Sequence, residues 1–246
     1  MRMRITILGT GTLAEALGRR WARAGHEITV AGRSMDKAEE LARRLGAVRA
    51  VPLAEIAAGG QYLPGTQPAE SAASTGTGAR ADAEAVLLAV AYTGVEEVLR
   101  TVGAPGGALS GLTLIDATNA IDHGVGVLRL PPGTSHAQRV AELAPGAHVV
   151  KAFHLFPSEQ WAATEADATE APATADTGRP PWVTICGDGP AALRTTEQLV
   201  RDVGAEPVVL GGLDRARQLE EAAGFVISLA FAGVDPSRAV PAMPTS

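Results

Sequence analysis

The stretch "RITILGTGTLAEALGRRWARAG" (residues 4–25) decides how the rest of the chain is read. Ile5, Ile7 and Leu8 make a short apolar run of the kind that forms a strand buried on both faces. From Leu13 apolar residues return at helical spacing, through Ala16, Leu17 and Trp21, until Gly25 supplies a stop. Between the two lies "GTGTLA" (9–14), a G-x-G-x-x-A pattern. Gly9 permits the tight turn, Gly11 lets a phosphate approach the backbone, and Ala14 lets the helix sit close to its strand. A pyrophosphate placed there would meet the unpaired N–H groups and the positive dipole end of the helix. Such a pattern is weak alone and gains weight as the first strand–turn–helix of an alternating chain.

The alternation continues. "EITVA" (27–31) reads as a second strand. "SMDKAEELARRLG" (34–46) reads as a helix capped by Ser34 or Asp36 and closed by Gly46. Strands are expected at 48–51, 85–90, 112–119, 148–153, 182–187 and 206–211. Helices are expected at 93–103, 135–146, 190–204 and 213–233, with Pro190 suited to a first turn. Strands alternating with helices imply an α/β fold, a doubly wound and mostly parallel sheet with a smaller C-terminal α/β part. The division expected is 1–150 for the dinucleotide-binding domain, 151–235 for the smaller domain and 236–246 for a loose tail. Residues 59–82 and 163–181 are rich in Ala, Ser, Thr, Gly and Pro without apolar period, and are expected to be mobile loops.

Composition narrows the function. Hydrophobic residues make up 46% of the 246-residue chain but aromatics only 4%, so the core must be aliphatic. A formal net charge of -6 without a Lys/Arg block argues against a nucleic-acid surface. The opening "MRMRITILG" is far shorter than a signal or membrane segment, and a cytoplasmic location is the expectation. Cys186 is the only cysteine, so CxxC metal sites are excluded; His123 and His136 lack partners at metal spacing, and no metal is expected.

At the end of the second strand, "AGRS" (31–34) places Arg33 and Ser34 where many dinucleotide-binding chains carry an acid. No Asp or Glu lies between Glu27 and Asp36. An acid there would grip the ribose 2′-hydroxyl of NAD, whereas Arg accommodates the 2′-phosphate of NADP. Arg offers phosphate a permanently charged, bidentate fork, and Ser adds a neutral donor. The competing reading is a solvated arginine beside a capping serine, and Ser34 can serve in both. The expected cofactor is NADP(H).

The segments "ITILGTGTLAEALGRRWARAGHEITVAGRS", "AVLLAVAYTGVEEVL", "LIDATNAID", "VVKAFHLF" and "TICGDGPAALRTTEQLVRDVGAEPV" together resemble NADPH-dependent F-420 reductases, the 8-hydroxy-5-deazaflavin:NADPH oxidoreductases. The resemblance runs over most of residues 4–231 and implies an N-terminal Rossmann domain. It also implies a deazaflavin, coenzyme F-420, lying against the nicotinamide. By the same resemblance Thr10, Gly11, Thr12 and Leu13 match the pyrophosphate turn, and Arg33 and Ser34 the 2′-phosphate site. Ala89, Val90 and Ala91 match the loop under the ribose, and Ala117 to Asn119 the turn facing the nicotinamide. Two departures stand out: the family's "AVP" is "AVA" at Ala91, and its "KAFN" is "KAFH" at His154.

Hydride transfer between two bound cofactors needs near-attack contact in a dry cleft, not a covalent nucleophile. If the acceptor were instead a small organic C=N, C=O or C=C group, reduced by NADPH or by reduced deazaflavin, a proton donor would be needed. His154, at a strand end, is then the catalytic candidate, and packing in the cleft wall is its alternative role. Lys151 could point into the cleft or snorkel from a sheet edge, and Asp116 is better suited to hold a neighbouring turn than to act as a base. A non-catalytic NADP sensor is a further alternative. In the last helix Leu213, Ala216, Leu219, Ala223, Val226 and Ile227 share a face, and 224–232 is apolar almost all round. It is therefore expected to be buried in the fold or in a homodimer.

Overall fold

In the computed structural model, which describes residues 2–46, 49–59, 84–122, 125–162 and 180–240, each short apolar run becomes a strand of one sheet. The strands are β1 (Arg4–Leu8), β2 (Glu27–Gly32), β3 (Arg49–Pro52), β4 (Glu84–Leu88), β5 (Thr113–Asp116), β6 (His148–Lys151), β7 (Trp182–Gly187) and β8 (Glu206–Gly211). Their order is β3-β2-β1-β4-β5-β6-β7-β8, all neighbours being parallel except β6 and β7. The first six follow the doubly wound order, which reverses direction between β1 and β4 and opens a crevice at the carboxyl ends of the strands there.

Helices cover both faces. On one side α1 (Thr12–Arg23), α2 (Met35–Leu45) and α7 (Pro190–Asp202) bury Leu17, Trp21, Leu41 and Leu199 against Ile5, Ile7, Val30 and Ile185. On the other, α3 (Leu53–Gly59), α4 (Val95–Thr101), α5 (His136–Leu143) and α8 (Ala216–Phe231) pack on Leu8, Val86, Leu88 and Leu114. Alternate side chains of each strand feed opposite cores, which is why these strands read as continuous apolar runs. Ser34 caps α2 by accepting from the Lys37 N–H, and Gly46 closes it in the left-handed conformation at φ 61°. Two short helices had no legible period, α3 and α6 (Ser158–Ala162).

The division anticipated at residue 150 falls within β6, and β7, α7 and β8 extend the same sheet and share its cores. Of the two low-complexity stretches, 60–82 and 163–179 lie outside the described residues, as does 241–246 of the tail; Pro236–Ala239 forms a 3-10 turn. The second half of α8 departs from the expected burial. Leu219 and Ala223 are buried, but Phe225 and Phe231 are exposed and Val226 and Ile227 only half covered. No described helix is long and apolar enough to cross a membrane.

Candidate functional site: a cleft over β1, β2 and β4

At the carboxyl ends of β1, β2 and β4 a cleft is lined by Gly9–Thr10–Gly11, Ala31 to Ser34, Lys37, Leu53, Ala89 to Ala91 and Val98. Its floor is set by a close crossing. The Gly9 N–H donates to the Ala31 carbonyl at 2.9 Å, and with φ 132° a Cβ on Gly9 would collide with the Ala89 carbonyl. Glycine is thus required twice over, by conformation and by space. A Cβ on Gly11, by contrast, would meet nothing within 4 Å. Gly11 is the N-cap of α1 and no side chain caps that helix, so its first N–H groups are free for an anion over the open space.

At the other end of the cleft stand two cations. The Arg33 side chain is 67% exposed and, among the described residues, pairs with Glu97 of α4 at 3.4 Å. Lys37 lies one turn into α2 beside it. Sequence reasoning missed Lys37, whose signal was its position three residues after the capping Ser34. Ala91 keeps φ -58°, the value that the family's proline would impose, so the substitution removes rigidity without removing the turn's shape.

Not every expected site residue lines this cleft. Thr12 borders a separate depression between α1 and α6, Leu13 packs against the core, and Ala14 is fully buried under α1. Ala117, Asn119 and His154 sit further along, past the ends of β5 and β6. There Phe153, the one described non-glycine residue with positive φ (61°), turns the chain sharply and seats its ring edge-on to Trp21 and Trp161. The turn aims the His154 carbonyl at Asn119, whose Nδ2 donates to it at 2.6 Å. Among the described residues, Asn119 Oδ1 is left as a buried acceptor with no partner.

His154 is 5% exposed and, among the described residues, neither ring nitrogen has a hydrogen-bond partner, although the main chain of Leu219 lies close enough to act on it. Burial, reinforced by the nearby Lys151 ammonium, pushes its pKa down to about 3. The ring is therefore neutral at ordinary pH and holds no proton it could readily give up.

Beneath this turn is a fully buried ionic cluster that sequence reasoning did not assemble. Lys151 Nζ pairs with Asp116 Oδ2 at 3.0 Å and Glu220 Oε1 at 3.2 Å, and also donates to the Thr118 carbonyl. It neither enters the cleft nor snorkels. Asp116 Oδ1 accepts from the Thr118 N–H at 2.9 Å and its hydroxyl at 2.6 Å, so the aspartate does hold the neighbouring turn. Burial works against the Asp116 carboxylate, but Lys151, His136 and Thr118 outweigh it and hold its carboxyl well below the usual range. Burial likewise works against the Lys151 ammonium, yet Asp116 and Glu220 keep it above the usual lysine value. Glu220 of α8 also accepts from the His136 and Ala137 N–H groups at 2.8 and 3.0 Å, capping α5 from a distance. Among the described residues no group of side chains could hold a metal ion.

Residues 4–120 match the family described as NADP oxidoreductase, coenzyme F420-dependent. A curated relative, metalloreductase STEAP3 of Rattus norvegicus, is 30% identical over 112 residues, which cover 46% of this chain and 20% of the relative. This chain thus spans about a fifth of that protein's length. Among solved structures, a protein from Arthrobacter sp. FB24 provisionally described as an F420-dependent NADP-reductase superposes with TM-score 0.66. It has 20% identity and covers 94% of this chain and 95% of its own. A reductive aminase from Aspergillus terreus, solved with NADPH4, cyclohexanone and allyl amine, gives TM-score 0.57 at 20% identity. It covers 95% of this chain and 63% of its own. At that identity the two structures establish the fold alone, and they agree with the doubly wound sheet described above.

Proposed function

We propose that this chain is an NADP(H)-dependent oxidoreductase that transfers a hydride between nicotinamide and coenzyme F-420. The observation that carries the cofactor is the mouth of the cleft. Arg33, just past the end of β2, and Lys37, in the first turn of α2, both line it, with no acid on that strand end, which suits a 2′-phosphate and not a bare ribose. The pyrophosphate would lie over Gly11, where open space meets the uncapped helix. A dinucleotide anchored on β2 and β1 must then extend across β4 towards β5 and β6. That path would bring its nicotinamide end past Ala89–Ala91 towards the 117–119 turn.

The deazaflavin partner is supported by the match of residues 4–120 to a family described as coenzyme F420-dependent. It is supported also by the state of His154. Reduction of an imine or carbonyl calls for a proton donor, and a ring whose pKa is about 3 is poorly suited to that task. Purified protein mixed with NADPH and F-420 should deplete the absorbance of both in equal amounts. His154→Asn should leave that rate unchanged or raise it. A loss of ~10²–10⁴-fold in the variant would instead make His154 an acid and favour a small organic acceptor.

We infer further that the protein works as a homodimer. Phe225, Phe231 and Val234, with Val125 and Val127 beside α8, present large apolar side chains that a second copy would cover. Light scattering should give twice the chain mass, and Phe231→Asp should reduce it to the monomer.

A further inference from the structure

At the far end of α1 from the cofactor cleft, a pocket of about 290 Å³ is lined by Arg19, Arg23, His26, Ile28, Arg44 and Gly46. Its arginines come from two short runs, "GRRWARAG" (18–25) and "ARRLG" (42–46), which the packing of α1 beside α2 sets together. Three guanidiniums line this concavity and, among the described residues, no carboxylate does, in a chain whose formal net charge is -6.

The arginines are held in different ways. Glu15 stands between two of them, meeting Arg19 Nη2 at 2.8 Å with one oxygen and Arg44 Nη2 at 3.0 Å with the other. One carboxylate is thus shared by two guanidiniums. Glu40, which also pairs with Arg43, reaches Arg44 only at 3.6 Å. Arg23, one turn beyond Arg19, is exposed and has no hydrogen bond or ion pair among the described residues. His26 adds shape and no donor. Its Nδ1 accepts from the Met3 N–H at 3.0 Å, which leaves the proton of the neutral ring on Nε2, against Asp202 Oδ2 at 2.9 Å. Asp202 stands behind that ring, its other oxygen accepting from Gln198. Ile28 and Leu45, both buried, are the apolar part of the wall.

Basic residues in a last helical turn have an ordinary purpose, which is to offset the negative end of the helix dipole. That purpose is too small for this pocket. α1 and α2 both end here, each presenting about half a negative charge, and Glu15 adds one more. Together these offset about two of the three guanidiniums and leave Arg23 over. A lysine would serve a dipole equally well, yet the lining holds arginine alone, the side chain whose parallel N–H donors match phosphate oxygens.

We propose that this pocket is a second anion site, which takes the phosphate group of a small molecule between Arg19, Arg23 and Arg44. Glu15 keeps Arg19 and Arg44 in place before the ligand arrives, so less side-chain ordering remains to be done on binding. The concave shape and the negative charge of the whole chain favour a compact phosphate over a nucleic-acid backbone. The site is separate from the cofactor's. α1 runs between the two, from the Gly11 turn to Arg23, over twelve residues or about 18 Å.

The probe is inorganic phosphate, titrated by calorimetry at constant ionic strength. Arg33→Ala serves as the starting protein, so that the cleft mouth does not take up the probe as well. One phosphate should bind per chain, and adding Arg23→Gln should weaken it roughly tenfold or more, the loss expected for hydrogen bonds to a charged group. Adding Arg23→Lys instead, which keeps the charge and loses the fork, should give an intermediate affinity. Arg23 has no partner to lose, so the melting temperature without phosphate should change little in either variant. In the otherwise native chain, Arg23→Gln should leave NADPH binding unchanged. Phosphate binding that survives Arg23→Gln, no phosphate binding by Arg33→Ala, or an effect that chloride reproduces at equal ionic strength overturns the proposal. So does binding only to phosphatidylcholine vesicles carrying phosphatidic acid, which would make the arginines a membrane contact. A loss of NADPH binding equal to the loss of phosphate would merge the two sites and overturn it as well.

Discussion

The two ends of the site are built on opposite physical terms. Over β1 and β2 the cleft is open: Arg33 is largely exposed, Gly11 borders empty space, and the chemistry comes from backbone N–H groups and two solvated cations. Past β5 and β6 the protein is dry, with Asp116, Lys151 and Glu220 at 0% exposure and His154 at 5%. The contrast teaches a division of labour. An open, flexible cationic mouth can accept a phosphate at little cost in reorganisation. On the proposed function, a buried ionic cluster would hold the reacting end rigid and give it a fixed field.

Breaking the buried end should have the largest effect. Lys151→Met leaves two carboxylates without their cation and should cost about 3–5 kcal/mol of folding stability by urea titration. Arg33→Met, at the exposed end, should cost under about 0.5 kcal/mol. Similar losses would erase the contrast between the two ends.

A medium effect is expected from acid. The His154 ring is depressed to about 3 in the fold. The unfolded chain therefore takes up a proton that the folded state refuses as pH falls below the ordinary histidine value of about 6.5, and stability is lost over that window. Between pH 7.5 and 4.5 this should remove roughly 2–3 kcal/mol from the wild type, most of it recovered in His154→Asn. Asp116 acts in a different window. Its depressed carboxyl contributes stability above the ordinary aspartate value of about 3.9, lost only as pH falls below that. Equal acid sensitivity in wild type and variant would show that the ring is solvated.

The smallest effect belongs to the exposed pair. Glu97 partly occupies Arg33, so Glu97→Gln should tighten NADPH by about 0.2–1 kcal/mol, and less at high salt. Weaker binding would mean that Glu97 orders Arg33 for the phosphate instead of competing for it.

The same contrast explains what could be read from the sequence. The open end is built from short motifs, each local in the chain, so the turn at 9–11 and the pair at 33–34, which both line the cleft, could be named from the sequence, as could strands 182–187 and 206–211 to the residue. Lys37 escaped because a lysine in a first helical turn has an ordinary explanation. Strands expected to run to 119 and 153 stop at Asp116 and Lys151. Beyond them Ala117, Ala152 and Phe153 are still buried, by the turns that shape the site, and burial prolonged the apolar pattern after the ladder had ended. The buried cluster was illegible for the opposite reason. Asp116, His136, Lys151 and Glu220 lie on four separate elements, and only the sheet order brings them together.

The central claim is that the open end is built for a 2′-phosphate, and parallel titrations of NADPH and NADH against the wild type and Arg33→Ala test it most directly. The wild type should prefer NADPH. Arg33→Ala should weaken NADPH by about 1.5–3 kcal/mol, the range for hydrogen bonds to a charged group, and leave NADH nearly unchanged. Equal losses for both nucleotides, or a wild type that does not distinguish them, would contradict the account.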